Sequence, residues 1–289
     1  MIPLCLVTGF LGTGKTTFLR RTMQKNRDRQ LVYLVNEFSP NDVDADMLST
    51  QKAEVISVAG GSIFCRCLVS QFIRQLQGIS ENRPNTEGVV IEASGMANPE
   101  TAADMLEETG LSDSFYLASI ISIVEPTSFL KLQYTLPNII KQVESADVVL
   151  INKTDSAPTE KTKKTQELVR QLNPTGECLQ TVQAEAEIDL FGGTASKQRG
   201  KGEFLGCRDP NYATFTTYKQ IDPEVLLTLI KKYEQDIYRI KGNLQDEFID
   251  YSSAGIVRTA VTGAEPRLVW IVKSGSEKEI EKEIAKIQP

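Results

Sequence analysis

The run Gly9-Phe-Leu-Gly-Thr-Gly-Lys-Thr-Thr17 follows directly on Ile2-Pro-Leu-Cys-Leu-Val-Thr8, a short apolar segment of strand type. Gly9, Gly14, Lys15 and Thr16 fit G-x-x-x-x-G-K-[ST], a strand-to-helix turn whose backbone cradles phosphate. Glycines let the chain curl until several N–H groups converge on one anion. The expected nucleotide contacts here are Gly9, Leu11, Gly12, Thr13, Gly14, Lys15, Thr16 and Thr17. Lys15 supplies a point charge for the outer phosphates and Thr16 a hydroxyl for Mg²⁺. The helix opening near Lys15 turns its positive end toward the same anion. Such a turn forms only where a strand feeds a helix, and Phe18, Leu19 and Met23 follow at helical spacing. The expectation is a bound nucleoside triphosphate on an α/β scaffold; a glycine-rich turn that binds nothing is the alternative.

The rest of the chain agrees with that scaffold. Strand-type runs at 4–8, 31–35, 54–58, 89–92, 117–124, 148–151 and 179–182 alternate with helical patterns at 15–25, 67–77, 99–108, 136–144 and 159–172. Alternation of this kind predicts right-handed crossovers and a mainly parallel, doubly wound sheet, with ligands at the carboxyl ends of its strands. From Phe191 to Asp209 the composition turns to Gly, Lys, Ser and Gln, a linker signal. Beyond it, strands at 212–218, 237–241, 247–252, 257–261 and 268–272 and helices at 222–235 and up to Ile287 predict a smaller α+β domain. The expected boundaries are 1–190, a linker over 191–209, and 210–289.

Asn152-Lys153-x-Asp155 ends the apolar run Val148–Ile151. A buried Asp155 carboxylate there accepts from the ring N–H and the exocyclic amine of guanine. Adenine offers an acceptor in place of the ring donor, leaving that carboxylate unpaired. Lys153 would lie along the base, and Asn152 would tie this loop to the phosphate loop. Alone the tetrapeptide also makes a serviceable turn and helix cap. Behind a phosphate loop it predicts GTP and GDP as ligands. An ATP-using kinase acting on a small molecule is the competing class.

Two segments between these motifs are candidates for the switch machinery. Asn36-Glu37-Phe38 and the acidic stretch to Asp44 follow a strand and suit a loop near the γ-phosphate, or an ordinary polar loop. The run from Gly88 delivers Glu92 at a strand end, with Gly95 three residues on. Ordinary GTPases place an Asp on the magnesium side and use the glycine N–H to sense the γ-phosphate. Glu92 does the same with one more methylene, or else caps a helix. Lys15, Thr16 and Glu92 are the expected catalytic set, with Thr16 and Glu92 holding Mg²⁺.

Composition narrows the chemistry. The chain has 289 residues, 32 Lys and Arg against 38 Asp and Glu, and a net charge of −6, which argues against a nucleic-acid or anionic-membrane surface. No apolar run approaches ~18 residues, so neither a membrane span nor a signal peptide is expected. Five cysteines, an odd number, point to reduced thiols and a cytoplasmic protein. Histidine is absent, which removes every imidazole base and imidazole metal ligand.

Taken together, Gly9–Thr17, Asn36-Glu37-Phe38, Glu92-x-x-Gly95 with Asn98-Pro99, Asn152-Lys153-x-Asp155 and the distal Arg239-Ile-Lys241-Gly242 resemble the CobW-like P-loop GTPases, a family of metallochaperones. The resemblance spans nearly the whole chain, and Glu in place of the magnesium-side Asp is its most specific element. It implies slow GTP hydrolysis coupled to delivery of a transition metal, or to maturation of a metal-bearing cofactor, in a client metalloprotein or cofactor-assembly protein. A homodimer is compatible with it. The family's Cys-x-Cys-Cys is incomplete in Gly60-Gly-Ser-Ile-Phe-Cys65-Arg-Cys67, and its His-rich tract is absent. Cys65 and Cys67, with Glu37 matching a carboxylate ligand of the family, form a partial thiolate site for zinc or a related ion, short of four donors. Two small buried hydrophobes at a helix start are the other reading of the cysteines. A GTPase that reactivates a corrinoid or other metalloenzyme, and holds no transition metal itself, remains open beside the metal chaperone.

Overall fold

The computed structural model describes residues 1–37, 54–59, 66–95, 97–193, 212–244, 246–252, 255–261 and 264–287. Its chain divides into two compact units, Met1–Cys207 and Arg208–Pro289.

The first unit carries strands β1 (Ile2–Thr8), β2 (Leu31–Glu37), β3 (Glu54–Ala59), β4 (Gly88–Glu92), β5 (Phe115–Val124), β6 (Val148–Ile151) and β7 (Glu177–Gln180) in one sheet of order β3-β2-β4-β1-β5-β6-β7. Every pairing is parallel. Helices α1 (Lys15–Lys25), α2 (Arg66–Asn82), α3 (Thr101–Glu108), α4 (Pro126–Leu132), α5 (Pro137–Glu144) and α6 (Thr159–Leu172) make the crossovers. A parallel sheet covered on both faces needs strands without alternation, and β4 and β6 are buried throughout. Under α1, Phe18, Leu19 and Met23 pack on Cys5, Val7, Val35 and Ile121. Strand order reverses around β1, so the carboxyl ends of β1, β4 and β6 open toward one crevice.

The second unit is a five-stranded antiparallel sheet, β11-β10-β9-β12-β8, built from β8 (Tyr212–Thr217), β9 (Ile237–Leu244), β10 (Glu247–Ser252), β11 (Gly255–Ala260) and β12 (Arg267–Lys273). Helices α7 (Pro223–Lys232) and α8 (Glu277–Lys286) bury Leu226, Ile230, Ile280 and Ile284 in its core. Asp222 caps α7 by accepting from the Glu224 and Val225 amides at 2.8 and 3.3 Å. Trp270 is fully buried, stacks on Phe215 with centroids 5.7 Å apart, and donates its indole N–H to Thr217 at 2.9 Å. The Arg239-Ile-Lys241-Gly242 run lies on β9. Arg239 donates to both carboxylate oxygens of Asp250 at 3.1 and 2.9 Å, and Lys241 stands 5.9 Å from the Phe248 ring centre.

The doubly wound sheet and the α+β second unit match the sequence expectation. Some element bounds do not. Helix α4 was not expected, because seven residues are too few to show a helical period; it is set by Pro126 at its first turn and by Glu125, whose carboxylate accepts from the Thr127 and Ser128 amides at 2.9 and 2.8 Å. Strand β7 begins two residues before the expected Leu179 and ends at Gln180, leaving Val182 43% exposed beyond it. Phe191, placed at the start of the linker, instead packs against the core of the first unit. The acidic stretch 38–44, residues 60–65 and linker positions 194–209 lie outside the described residues. No helix among the described residues is long and apolar enough to cross a membrane.

Gly242 carries a positive φ of 142°, and a Cβ there would come within 2.0 Å of the Arg267 carbonyl oxygen. Gly242→Ala is therefore expected to destabilise the second unit by about 2 kcal/mol or more, read as a lowered denaturant midpoint.

Candidate functional site

The loop between β1 and α1 leaves the strand at Gly9 and takes left-handed backbone at Gly9, Gly12 and Gly14, with φ of 139°, 76° and 112°. Thr13 closes the turn, its hydroxyl donating to the Phe10 carbonyl at 2.9 Å. The first helical hydrogen bond runs from the Phe18 amide to the Gly14 carbonyl at 2.9 Å, so the amides of the first turn are directed at the loop. Lys15 is 7% exposed, and its ammonium donates to the Gly9 and Phe10 carbonyls at 2.9 and 3.1 Å. The charge thus sits across the loop rather than out in solvent. Leu11 and Thr13 are buried, Gly12 is exposed, and Gly14, Thr16 and Thr17 are half-buried.

Glu92 ends β4 at 8% exposure, in register with Val7 of β1 and Val35 of β2. The next amide, Ala93, still pairs with the Val7 carbonyl at 2.9 Å. The chain then turns over the phosphate loop. A Cβ on Gly95 would stand 2.8 Å from the Leu11 amide nitrogen, so only glycine permits this approach. The Thr16 hydroxyl, in the first turn of α1, and the Glu92 carboxylate, at the end of the strand beside β1, are hard oxygen donors, a set that suits Mg²⁺.

Asn152 is the junction of the site. It is 1% exposed; its amide donates to the Thr13 carbonyl at 2.8 Å. Its oxygen accepts from the Ala184 amide at 2.7 Å and the Thr181 hydroxyl at 3.2 Å. Lys153 adopts a left-handed φ of 61°. Asp155 is exposed at the rim, not buried as the sequence suggested. Guanine selection would rest on its hydrogen-bond pattern rather than on prior desolvation.

Three contributors lay outside the sequence expectation. The 181–184 loop, with left-handed Gln183 and Ala184 at φ of 52° and 55°, is held against Asn152 and by the Thr154 hydroxyl on the Thr181 carbonyl at 3.1 Å. Arg21 of α1 donates to Gln183 at 3.0 Å and pairs with Glu185 at 3.4 Å, tying the phosphate helix to that loop. Gln142 of α5, 1% exposed, donates to the Gly95 and Ala97 carbonyls at 3.2 and 3.0 Å. A glutamine inside an amphipathic helix carries no motif that would single it out.

Of the expected transition-metal ligands, Cys65 lies outside the described residues, as do the side chains of Glu37 at the end of β2 and Cys67 in the first turn of α2. Among the described residues no group of three or more Cys, Asp and Glu is placed to hold a metal. Cys5 is fully buried in β1, and burial pushes its thiol up to about 12, which makes it core. Burial also raises the half-buried Cys178 thiol.

A strand-fed phosphate loop, a carboxylate on the neighbouring strand and an Asn-Lys-x-Asp loop, all at the carboxyl ends of strands of one parallel sheet, define a P-loop nucleotide-binding protein. Residues 3–180 match the CobW/HypB/UreG nucleotide-binding domain, and the chain belongs to that family. It is similar to the zinc-regulated GTPase metalloprotein activator 1 of Saccharomyces cerevisiae, 26% identical over 198 residues that make up 60% of this chain and 46% of that one. It is also similar to the zinc chaperone CobW of Pseudomonas aeruginosa, 25% identical over 190 residues, 55% of this chain and 50% of that one. The chain thus spans about half the length of the curated relatives it matches. A crystal structure of a zinc-bound triple mutant of the YjiA GTPase shares the fold along the whole chain, with a TM-score of 0.50, 18% identity, and coverage of 100% of this chain and 99% of that one.

Asn152→Ala would leave the Ala184 amide and the Thr13 carbonyl without their partner. A loss of about 2–4 kcal/mol in the first unit is expected from denaturant unfolding. Asn152→Asp, which keeps the acceptor but turns a second carboxylate oxygen toward the Thr13 carbonyl and buries a charge, should lose at least as much.

Proposed function

We propose that this chain binds and slowly hydrolyses magnesium-bound GTP and uses that cycle to deliver a transition metal to a client metalloprotein. The observation that carries the nucleotide half is the Asn152 side chain, which joins the phosphate loop to the Asn-Lys-x-Asp loop through one buried amide. The amides of Gly9–Thr17 would hold the phosphates and Lys15 would stabilise charge on the transferring phosphoryl group. Thr16 and Glu92 would hold magnesium, which when bound neutralises the outer phosphate oxygens. Gly95 would sense the γ-phosphate, while Lys153 and Asp155 would take the base.

The zinc half is supported by family membership and by relatives named as zinc chaperones. The residues available for it are Cys65, Cys67 and Glu37, two soft thiolates and one carboxylate, with the remaining donor coming from water, the client or a second copy of the chain. With no histidine in the chain, thiolate must carry the selectivity. A cytoplasmic setting, where thiols stay reduced, fits that chemistry.

Neither an obvious water-positioning Gln nor an arginine finger accompanies the motifs. Basal turnover is expected to fall below the ~1 s⁻¹ lower end of typical enzymes, measured as phosphate release from GTP. Asp155→Ala should weaken GTP about 100-fold while leaving ATP affinity little changed, since it removes two charge-assisted hydrogen bonds made only to guanine. Equal wild-type affinity for GTP and ATP would overturn the guanine assignment. Stoichiometric zinc in purified protein, lost in Cys65→Ala with Cys67→Ala, would support the delivery role; zinc retained in that double variant would remove these thiols from it.

A further inference from the structure

Gly95 and Ala97 flank the turn that follows Glu92, and both direct a carbonyl at one buried side chain, Gln142 of α5. Both neighbours are acceptors, so the contact has one sign and requires a donor. A third peptide is fixed by the Ala97 amide donating to the Ser94 carbonyl at 2.9 Å. At the outer edge, Glu100 and Lys141 approach to 3.5 Å, a second tie between this turn and α5. Below the turn lies the phosphate loop, with the Leu11 amide nitrogen 2.8 Å from where a Gly95 Cβ would be. Ser94, Gly95 and Ala97 are therefore held between the phosphate loop and α5, with Gln142 bonded to two of them.

Helix α5 leads somewhere. The Asn173 side chain donates to the Val143 and Ala146 carbonyls at 2.8 and 2.7 Å, which anchors the helix exit. The chain then enters β6 and reaches Asn152 ten residues after Gln142. One continuous stretch of chain, from Gln142 through β6 to Asn152, thus joins the helix that contacts Gly95 to the loop proposed for the base.

We propose that Gln142 is a positioning residue for the γ-phosphate. It holds Gly95 and Ala97 so that the Gly95 amide meets that phosphate, and it makes α5 the element that registers whether the phosphate is present. This rests on the GTP reading above. A merely structural glutamine would affect GDP and GTP alike; a positioning residue separates them, because only the triphosphate reaches Gly95.

The test compares wild type with Gln142→Met, which keeps the volume, and Gln142→Glu, which keeps the shape but aims an acceptor at two acceptors. Affinities are measured for magnesium with GDP and with a non-hydrolysable GTP analogue, alongside hydrolysis at saturating GTP. The expected result is about a tenfold loss in analogue affinity or in kcat, with GDP affinity held within about twofold. Equal weakening of the analogue and of GDP, or unchanged analogue affinity together with unchanged kcat, would overturn the proposal. Should neither variant fold, hydrogen exchange on the wild type decides: residues 93–98 and 137–146 should gain protection together when the analogue replaces GDP, and an unchanged 137–146 overturns it. A wild type that binds no guanine nucleotide would instead bring down the GTP reading itself.

Discussion

One buried amide holds the site together. Asn152 joins its own loop to two chain segments far from it in sequence, and its side chain has one donor face and one acceptor face. The donor face meets the Thr13 carbonyl; the acceptor face meets Ala184 and Thr181. No charged residue could satisfy both sides at once, and no apolar one could satisfy either. In a setting this dry, partly satisfied polar groups cost more than they would at the surface, so the three loops have one arrangement in which every partner is met. The left-handed Gln183 and Ala184 are tolerated because that arrangement over-determines them.

The legible and illegible parts of this site differ in kind. The phosphate loop could be read because its geometry demands particular residue types in one short run: glycines where φ turns positive, a lysine long enough to fold back on Gly9, a hydroxyl beside it. Glu92-x-x-Gly95 and Asn152-Lys153-x-Asp155 could be found for the same reason, each being a strand end with its turn. Gln142 could not. Its partners lie 47 and 45 residues away, and amides are ordinary in amphipathic helices. The 181–184 loop was hidden because its strain is carried by Gln and Ala, which advertise nothing. Asp155 shows the opposite limit: its type and place were clear, but its exposure depends on tertiary surroundings no tetrapeptide records.

The same division holds for the fold. Parallel strands buried on both faces announce themselves as apolar runs, which is why β4 and β6 were found close to their true bounds. Short elements set by caps rather than by periodicity, such as α4 behind Glu125-Pro126, do not. In the second unit the Arg239-x-Lys241-Gly242 run has a structural cause. Arg239 pairs with Asp250 across β9 and β10, and Gly242 admits the Arg267 carbonyl of β12. A family signature can thus mark sheet construction as readily as chemistry.

A nucleotide switch needs a segment whose position differs in free energy between the diphosphate and triphosphate states. The turn carrying Gly95 and Ala97 is well placed for that. Its underside is steric, a glycine against the Leu11 amide, which tolerates little displacement. Its upper side is polar, two carbonyls on a single glutamine amide, worth only about 1 kcal/mol apiece. Steric floors are rigid, whereas two neutral hydrogen bonds are weak enough to rearrange for a phosphate yet strong enough to set a resting state. Any change in the turn is then felt first by α5, whose far end is anchored at Asn173 and continues into β6. The direction of transmission follows from which contacts are stiff and which can yield.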